Sequence, residues 1–205
     1  MTSSNVRCIS PHKREQVFPL PVVLISTRGK DGVLNLAPWS NITPILRPLD
    51  EIILASWIKR DTLTNIRDTG EFVVNIPPAS MSEQVMICSR DYPPEVDEFV
   101  KANLQPHLSQ QVQVPGVEGC LAWLECTLVE EIIRKNYSLV IGKVVNLAVD
   151  QQSFNEAGEM DYEKAQPLSA MLGDKGMWFT RPVFGGRYAE YREMFTDKDI
   201  AATEK

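Results

Sequence analysis

The chain has 205 residues, 43% of them hydrophobic, enough for one compact core. Its formal net charge of −6 argues against broad binding to nucleic acid or to an anionic membrane, since both need clustered Lys and Arg. No run approaches the roughly 20 apolar residues of a membrane helix. The polar, basic N-terminus (Arg7, Lys13, Arg14) does not read as a secretory signal, so the expected location is cytoplasmic.

In chain order, residues 20–27 (LPVVLIST) form a β-branched run of strand length, and Gly29 to Gly32 read as a turn. Residues 33–42 continue as a second extended piece, kinked by Pro38. Residues 52–58 are a third strand. Residues 61–69 read as a short helix: Asp61 or Thr62 can cap its start, Leu63 and Ile66 face inward, and Gly70 ends it in the left-handed conformation. Residues 72–76 are again strand-like. The stretch 77–119 holds two Pro-Pro pairs and a Gln-rich segment around Gln110 to Gln113. It reads as a surface excursion with short helices over 82–89 and 96–102. Long strands over 120–133 and 137–149 are expected to pair as a hairpin about Lys135 and Asn136. A looser tail follows Gln151 and ends in a charged, frayed segment.

The sequence shows neither a regular β-α-β alternation nor a G-x-G-x-x-G fingerprint, and Gly185–Gly186 reads as a turn. The expected fold is mainly β with peripheral helices, a barrel-like single domain over 1–205. The four cysteines, Cys8, Cys88, Cys120 and Cys126, form no C-x-x-C and read as free thiols. No metal-ligand spacing is present. His12 and His107 read as exposed or core-satisfied residues.

Two segments carry chemistry. In Ser56-Trp57-Ile58-Lys59-Arg60-Asp61-Thr62-Leu63-Thr64-Asn65 a strand ends, two cations follow, and a helix begins. A helix start exposes unpaired N–H groups and the positive end of its dipole, so Lys59 and Arg60 there suit a phosphate, with Ser56, Thr62 and Asn65 adding hydrogen bonds. Solvated cations and ordinary caps are the alternative, and the Asp61 charge opposes an anion. In Asn35-Leu36-Ala37-Pro38-Trp39-Ser40-Asn41, small and polar residues leave backbone groups accessible to a flat heterocycle. A bulged strand with Trp39 in the core is the alternative there.

Together these segments, residues 19–44 and 55–76, with the hairpin 124–145, resemble the flavin-reductase-like, FMN-binding split-barrel family. The pieces DEFVKANL (97–104) and PLSAML (167–172) resemble later family segments. The resemblance implies an FMN-binding split β-barrel and a homodimer with FMN near the subunit interface. Asn35, Leu36, Ala37, Pro38, Ser40 and Asn41 would line the isoalloxazine, with Thr27 on the neighbouring strand. Ser56, Lys59, Arg60, Thr62 and Asn65 would hold the phosphate and ribityl end. Many relatives carry Asp-His in the hairpin turn; here Asn136-Tyr137 stands in its place, so no catalytic acid or base is assigned.

Two functions follow from the resemblance. One is an FMN reductase using NADH or NADPH, feeding a separate monooxygenase. The other is a flavoredoxin-like carrier that holds FMN and exchanges electrons with a protein partner. A split barrel using haem or a deazaflavin is a weaker third; the Lys59–Arg60 phosphate site speaks for FMN over haem.

Overall fold

The computed structural model describes residues 17–46, 48–173 and 176–183. Strands dominate: β1 (Leu20–Pro21), β2 (Val23–Arg28), β3 (Leu34–Trp39), β4 (Ile42–Pro44) and β5 (Glu51–Trp57). Then come α1 (Asp61–Thr69), β6 (Glu71–Ile76), α2 (Ser82–Cys88), α3 (Glu98–Lys101), β7 (Pro106–His107) and β8 (Gly116–Val117). The long hairpin β9 (Ala122–Ile133) and β10 (Tyr137–Val149) is followed by β11 (Ser169–Gly173) and β12 (Gly176–Thr180).

Seven strands form one antiparallel sheet in the order β3-β2-β6-β9-β10-β5-β4. That order forces curvature. Laid flat, β3 and β4 would lie about 29 Å apart, at about 4.8 Å per strand spacing. Yet only Ser40 and Asn41 join them, and that link reaches about 11 Å at full extension. The sheet must therefore curl until its two edges nearly meet. Irregular pairing between β9 and β10, at Ile141/Gly142 and again at Val144/Asn146, adds local twist where the sheet bends. At Gly142 the curl also needs space, because a Cβ there would overlap the Phe72 ring.

Alternation along the strands divides the core in two. On β2 and β6, Val23, Ile25, Phe72 and Val74 face the inside of the curl, where they meet Leu63 and Ile66 of α1. Leu24 and Val73 face the other way. The helix ends as its sequence implies: Gly70 has φ 74° and donates its N–H to the Ile66 carbonyl at 2.8 Å. Arg67 ties α1 to β9 through a two-nitrogen ion pair with Glu131.

Several expectations need correction. The run 20–27 is two strands in different sheets, broken at Val22. Pro38 does not interrupt its strand, because β3 is a sheet edge and needs a ladder on one side only. Segment 77–119 is not merely a surface excursion: Val85, Phe99, Val112, Val114 and Val117 are buried against Leu24 and Val73. They cover the outer face of β2 and β6, which would otherwise leave apolar side chains in water. The tail is better ordered than expected through residue 173. Leu168 and Ala170 are buried, and β11 pairs with both β1 and β12. Residues 184–205, with the Gly185–Gly186 turn, and Cys8 and His12 lie outside the described residues.

Candidate functional site

The site lies where the two sheet edges approach. A cleft of about 310 Å³ opens between the β3–β4 link, the start of α1, the α2–α3 region and Met177 of β12. Of the residues expected to hold the cofactor, Asn35, Ala37, Pro38, Ser40, Asn41, Arg60 and Thr62 line it. Thr27, Leu36, Ser56, Lys59 and Asn65 do not.

The exceptions have distinct places. The Leu36 side chain is fully buried in the core. Ser56 is buried and donates to the Trp57 carbonyl at 2.8 Å. Lys59 is exposed and is not part of the cleft wall. Thr27 and Asn65 stand behind the cleft wall in a chain of hydrogen bonds. Asn65 Nδ2 donates to Thr27 Oγ1 at 3.1 Å, and Thr27 donates to Asn35 Oδ1 at 3.2 Å. Thr62, in the first turn of α1, donates to the same Asn35 Oδ1 at 3.0 Å. The Asn35 amide is thereby tied to both the neighbouring strand and the helix.

The start of α1 differs from expectation in a way that bears on ligands. The N-cap residue is Arg60, extended at φ −142°, and no side chain makes the cap hydrogen bond. Neither Asp61 nor Thr62 caps the helix, because Asp61 and Thr62 are the first helical residues and Thr62 is turned to Asn35. The first-turn N–H groups thus lack a side-chain acceptor, a state that suits an anion. Arg60 and Arg90 both line the cleft, and Arg60 Nη1 lies 3.6 Å from Asp91 Oδ1.

The other wall is the free edge of β3. The Leu36 N–H points away from β2 and donates to Glu98 Oε2 at 3.0 Å. Two residues on, in the same phase, Pro38 has no N–H, so that part of the edge offers only an acceptor. Trp39 packs against the inner core and lines the cleft, and its indole Nε1 is buried without a hydrogen-bond partner.

Sequence reasoning missed the α2–α3 contribution. Glu98 is 6% exposed and also accepts from Asn35 Nδ2 at 3.2 and 3.3 Å. Burial pushes its carboxyl above the ordinary glutamate value; the Leu36 N–H works against this, and Asp61 and Asp97 add to it. Cys88 lines the cleft beside it, and burial, helped by Glu98, pushes that thiol up to about 12. It is therefore a neutral packing group, not a nucleophile. Asp97 gave the one available signal. It caps α3, accepting from Phe99 N at 2.8 Å, and so places the next residue, Glu98, against β3. Among the described residues, His107 takes no part: it stacks on Trp123 at 4.1 Å and does not line the cleft.

A model of the flavin reductase like domain matches residues 14–169. The chain belongs to that family. It is 44% identical over 190 residues to an uncharacterized protein of Methanothermobacter thermautotrophicus, covering 90% of each chain. Nitrilotriacetate monooxygenase component B from Bacillus cereus superposes with a TM-score of 0.78 at 25% identity, covering 92% of this chain and 100% of that one. Flavoredoxin from Methanosarcina acetivorans shares the fold, with a TM-score of 0.79 at 19% identity over 93% and 99% of the two chains. Further neighbours are split-barrel and FMN-binding proteins of the flavin reductase class. The curled sheet is thus the split barrel of this family, and the family supports a role in flavin oxidoreduction or electron transfer. No helix among the described residues is long and apolar enough to cross a membrane.

Proposed function

We propose that this flavin reductase like chain binds FMN in the cleft and transfers electrons to it from NADH or NADPH. One observation carries the reading: the α1 start has no side-chain cap and opens on a cleft that Arg60 and Arg90 line. A phosphate monoester would complete the first-turn N–H groups, with Arg60 as its counter-ion. The flat ring would lie along Asn35 to Asn41, where the Pro38 carbonyl offers an acceptor and the Trp39 indole a donor. Bound FMN would supply two-electron and one-electron chemistry, while the protein supplies orientation and excludes water from one face. Thr27, Ser56 and Asn65 would act from behind the wall, by holding the residues that touch the ligand. Leu36 would contribute through its backbone, and Lys59 only through its distant charge.

The test is spectroscopic. Apo protein titrated with FMN at micromolar concentrations quenches flavin fluorescence and shifts the visible bands; an unchanged spectrum sinks the reading. NADH or NADPH added without oxygen then bleaches the bound flavin within minutes.

A carrier role, with FMN held tightly and a protein partner accepting electrons, is the second reading. It is favoured by the aromatic pair at the mouth: Trp57 lines the cleft yet is 64% exposed, and Tyr137 stands opposite it on β10. Bound FMN that neither nicotinamide reduces selects the carrier. A monooxygenase component is the corresponding partner for the reductase.

We further propose that the chain forms a homodimer. Val145, Leu147 and Val149 of β10 leave apolar side chains in water, which a second copy would cover. Light scattering gives about twice the 23.1 kDa chain mass if this holds, and a stable FMN-loaded monomer contradicts it.

A further inference from the structure

We propose that Glu98 is a positioning residue of the cleft, whose ionised carboxylate fixes the Asn35 amide and so joins the ring-binding edge of β3 to the phosphate-binding start of α1. The inference rests on the FMN reading above and adds to it a residue that would act through Asn35.

The argument is one of donors and acceptors. Asn35 Oδ1 accepts two hydroxyls, Thr27 at 3.2 Å and Thr62 at 3.0 Å, so its Nδ2 must point the other way. There Glu98 receives it with both oxygens, and receives the Leu36 N–H as well. An ionised carboxylate is acceptor-only and matches both donors. A protonated carboxyl carries its own O–H into a place already filled by donors. Either that bond to Asn35 is lost, or the amide turns over and the Thr27 and Thr62 hydroxyls must accept from it instead of donating. In both cases the link from β3 to α1 loosens at Thr62, next to Arg60 and the uncapped helix start.

The charged surroundings of Glu98 are defined. Asp97 lies on its own helix, Asp61 at the start of α1, and Cys88 on α2, whose Glu83 is exposed. The β3 edge presents only neutral groups. Arg60, Arg90 and Asp91 line the same cleft, but Glu98 forms no ion pair among the described residues. No cation therefore offsets its burial, and its ionisation depends on two N–H donors set against two nearby carboxylates.

The test compares FMN dissociation constants of the wild type and Glu98→Gln between pH 5 and 8.5, by fluorescence. Glutamine copies the protonated acid at every pH. The ratio of the two constants is expected to be about tenfold at pH 8, and to fall towards one as pH drops through the titration of Glu98, above the ordinary 4.5. The second ionisation of the FMN phosphate, near pH ~6, is common to both proteins and cancels in the ratio. A ratio that is constant with pH overturns the proposal. Failure of the wild type to bind FMN at any pH would instead sink the FMN reading. Should Glu98→Gln not fold, Asp97→Asn keeps the helix cap and removes one neighbouring charge. Its FMN-affinity profile is expected to shift to lower pH than that of the wild type, and an unshifted profile overturns the assignment.

Discussion

Two glutamates, Glu98 and Glu125, are almost equally buried, 6% and 2% exposed, yet their carboxyls are shifted in opposite directions. Glu125 projects from β9 into the loop before β8. Burial pushes its carboxyl up, but the backbone N–H groups of Gln110, Gln111 and Val112, with the Asn146 amide, outweigh this and hold it below the ordinary value. Glu98 meets only the Leu36 N–H and the Asn35 amide, with Asp61 and Asp97 close by, and burial wins. Burial alone therefore does not decide ionisation; the number of N–H donors and the sign of the neighbours do. The saturated site anchors a loop. The unsaturated one faces the cleft.

The largest expected effect comes from breaking the saturated site. Glu125→Ala strands three backbone donors and lowers stability by about 3 kcal/mol, at roughly 1 kcal/mol per lost partner. Urea unfolding reads this directly, and a loss below about 1 kcal/mol would mean that water replaces the carboxylate. FMN affinity of the folded protein stays within about twofold if the two regions are independent. The pH dependence separates them further. Because the Glu125 pKa is depressed by folding, its contribution is complete above the ordinary 4.5 and is lost as pH falls through its folded value. The Glu98 pKa is raised, so its contribution has the opposite sign. It is present below the ordinary 4.5 and is lost as pH rises through its folded value. Stability differences from wild type, measured against pH for Glu125→Gln and Glu98→Gln, should therefore slope in opposite directions.

A smaller effect is expected at the phosphate end. Arg60→Ala weakens FMN binding by about tenfold, after discounting for the exposure of its side chain, and leaves riboflavin unchanged. Lys59→Ala, off the cleft, changes either flavin by less than about twofold. Equal losses for FMN and riboflavin would assign Arg60 to folding or to the ring, not to the phosphate. The smallest effect belongs to Tyr137. It does not line the cleft and pairs across the strands with Trp57. Tyr137→Phe should keep the rate of flavin reduction within about twofold, and a collapse of that rate with FMN affinity intact would make Tyr137 a proton donor.

The sequence by itself determined the elements whose signals are local. Helix α1 matches its expected span, because Leu63, Ile66 and Gly70 fall at helical spacing and a helix stop. β6 and β10 follow from alternation and β-branched residues, and the hairpin turn from Lys135 and Asn136. It also brought seven of the twelve expected site residues to the cleft, since residues close in sequence at a strand edge or helix start stay close in space. Tertiary structure alone decided the rest. That β3 and β4 are opposite edges of one curled sheet depends on pairing between strands far apart in sequence, which no local pattern encodes. The fate of segment 77–119 was hidden because Val85, Phe99 and Val114 sit among prolines and polar residues without a period. They are apolar partners only once the outer face of β2 is there to be covered. Nothing local in the sequence sets Glu98 apart from the other acidic residues of the chain. Its role arises only where an edge strand with free N–H groups meets that helix, in a place that water has largely left.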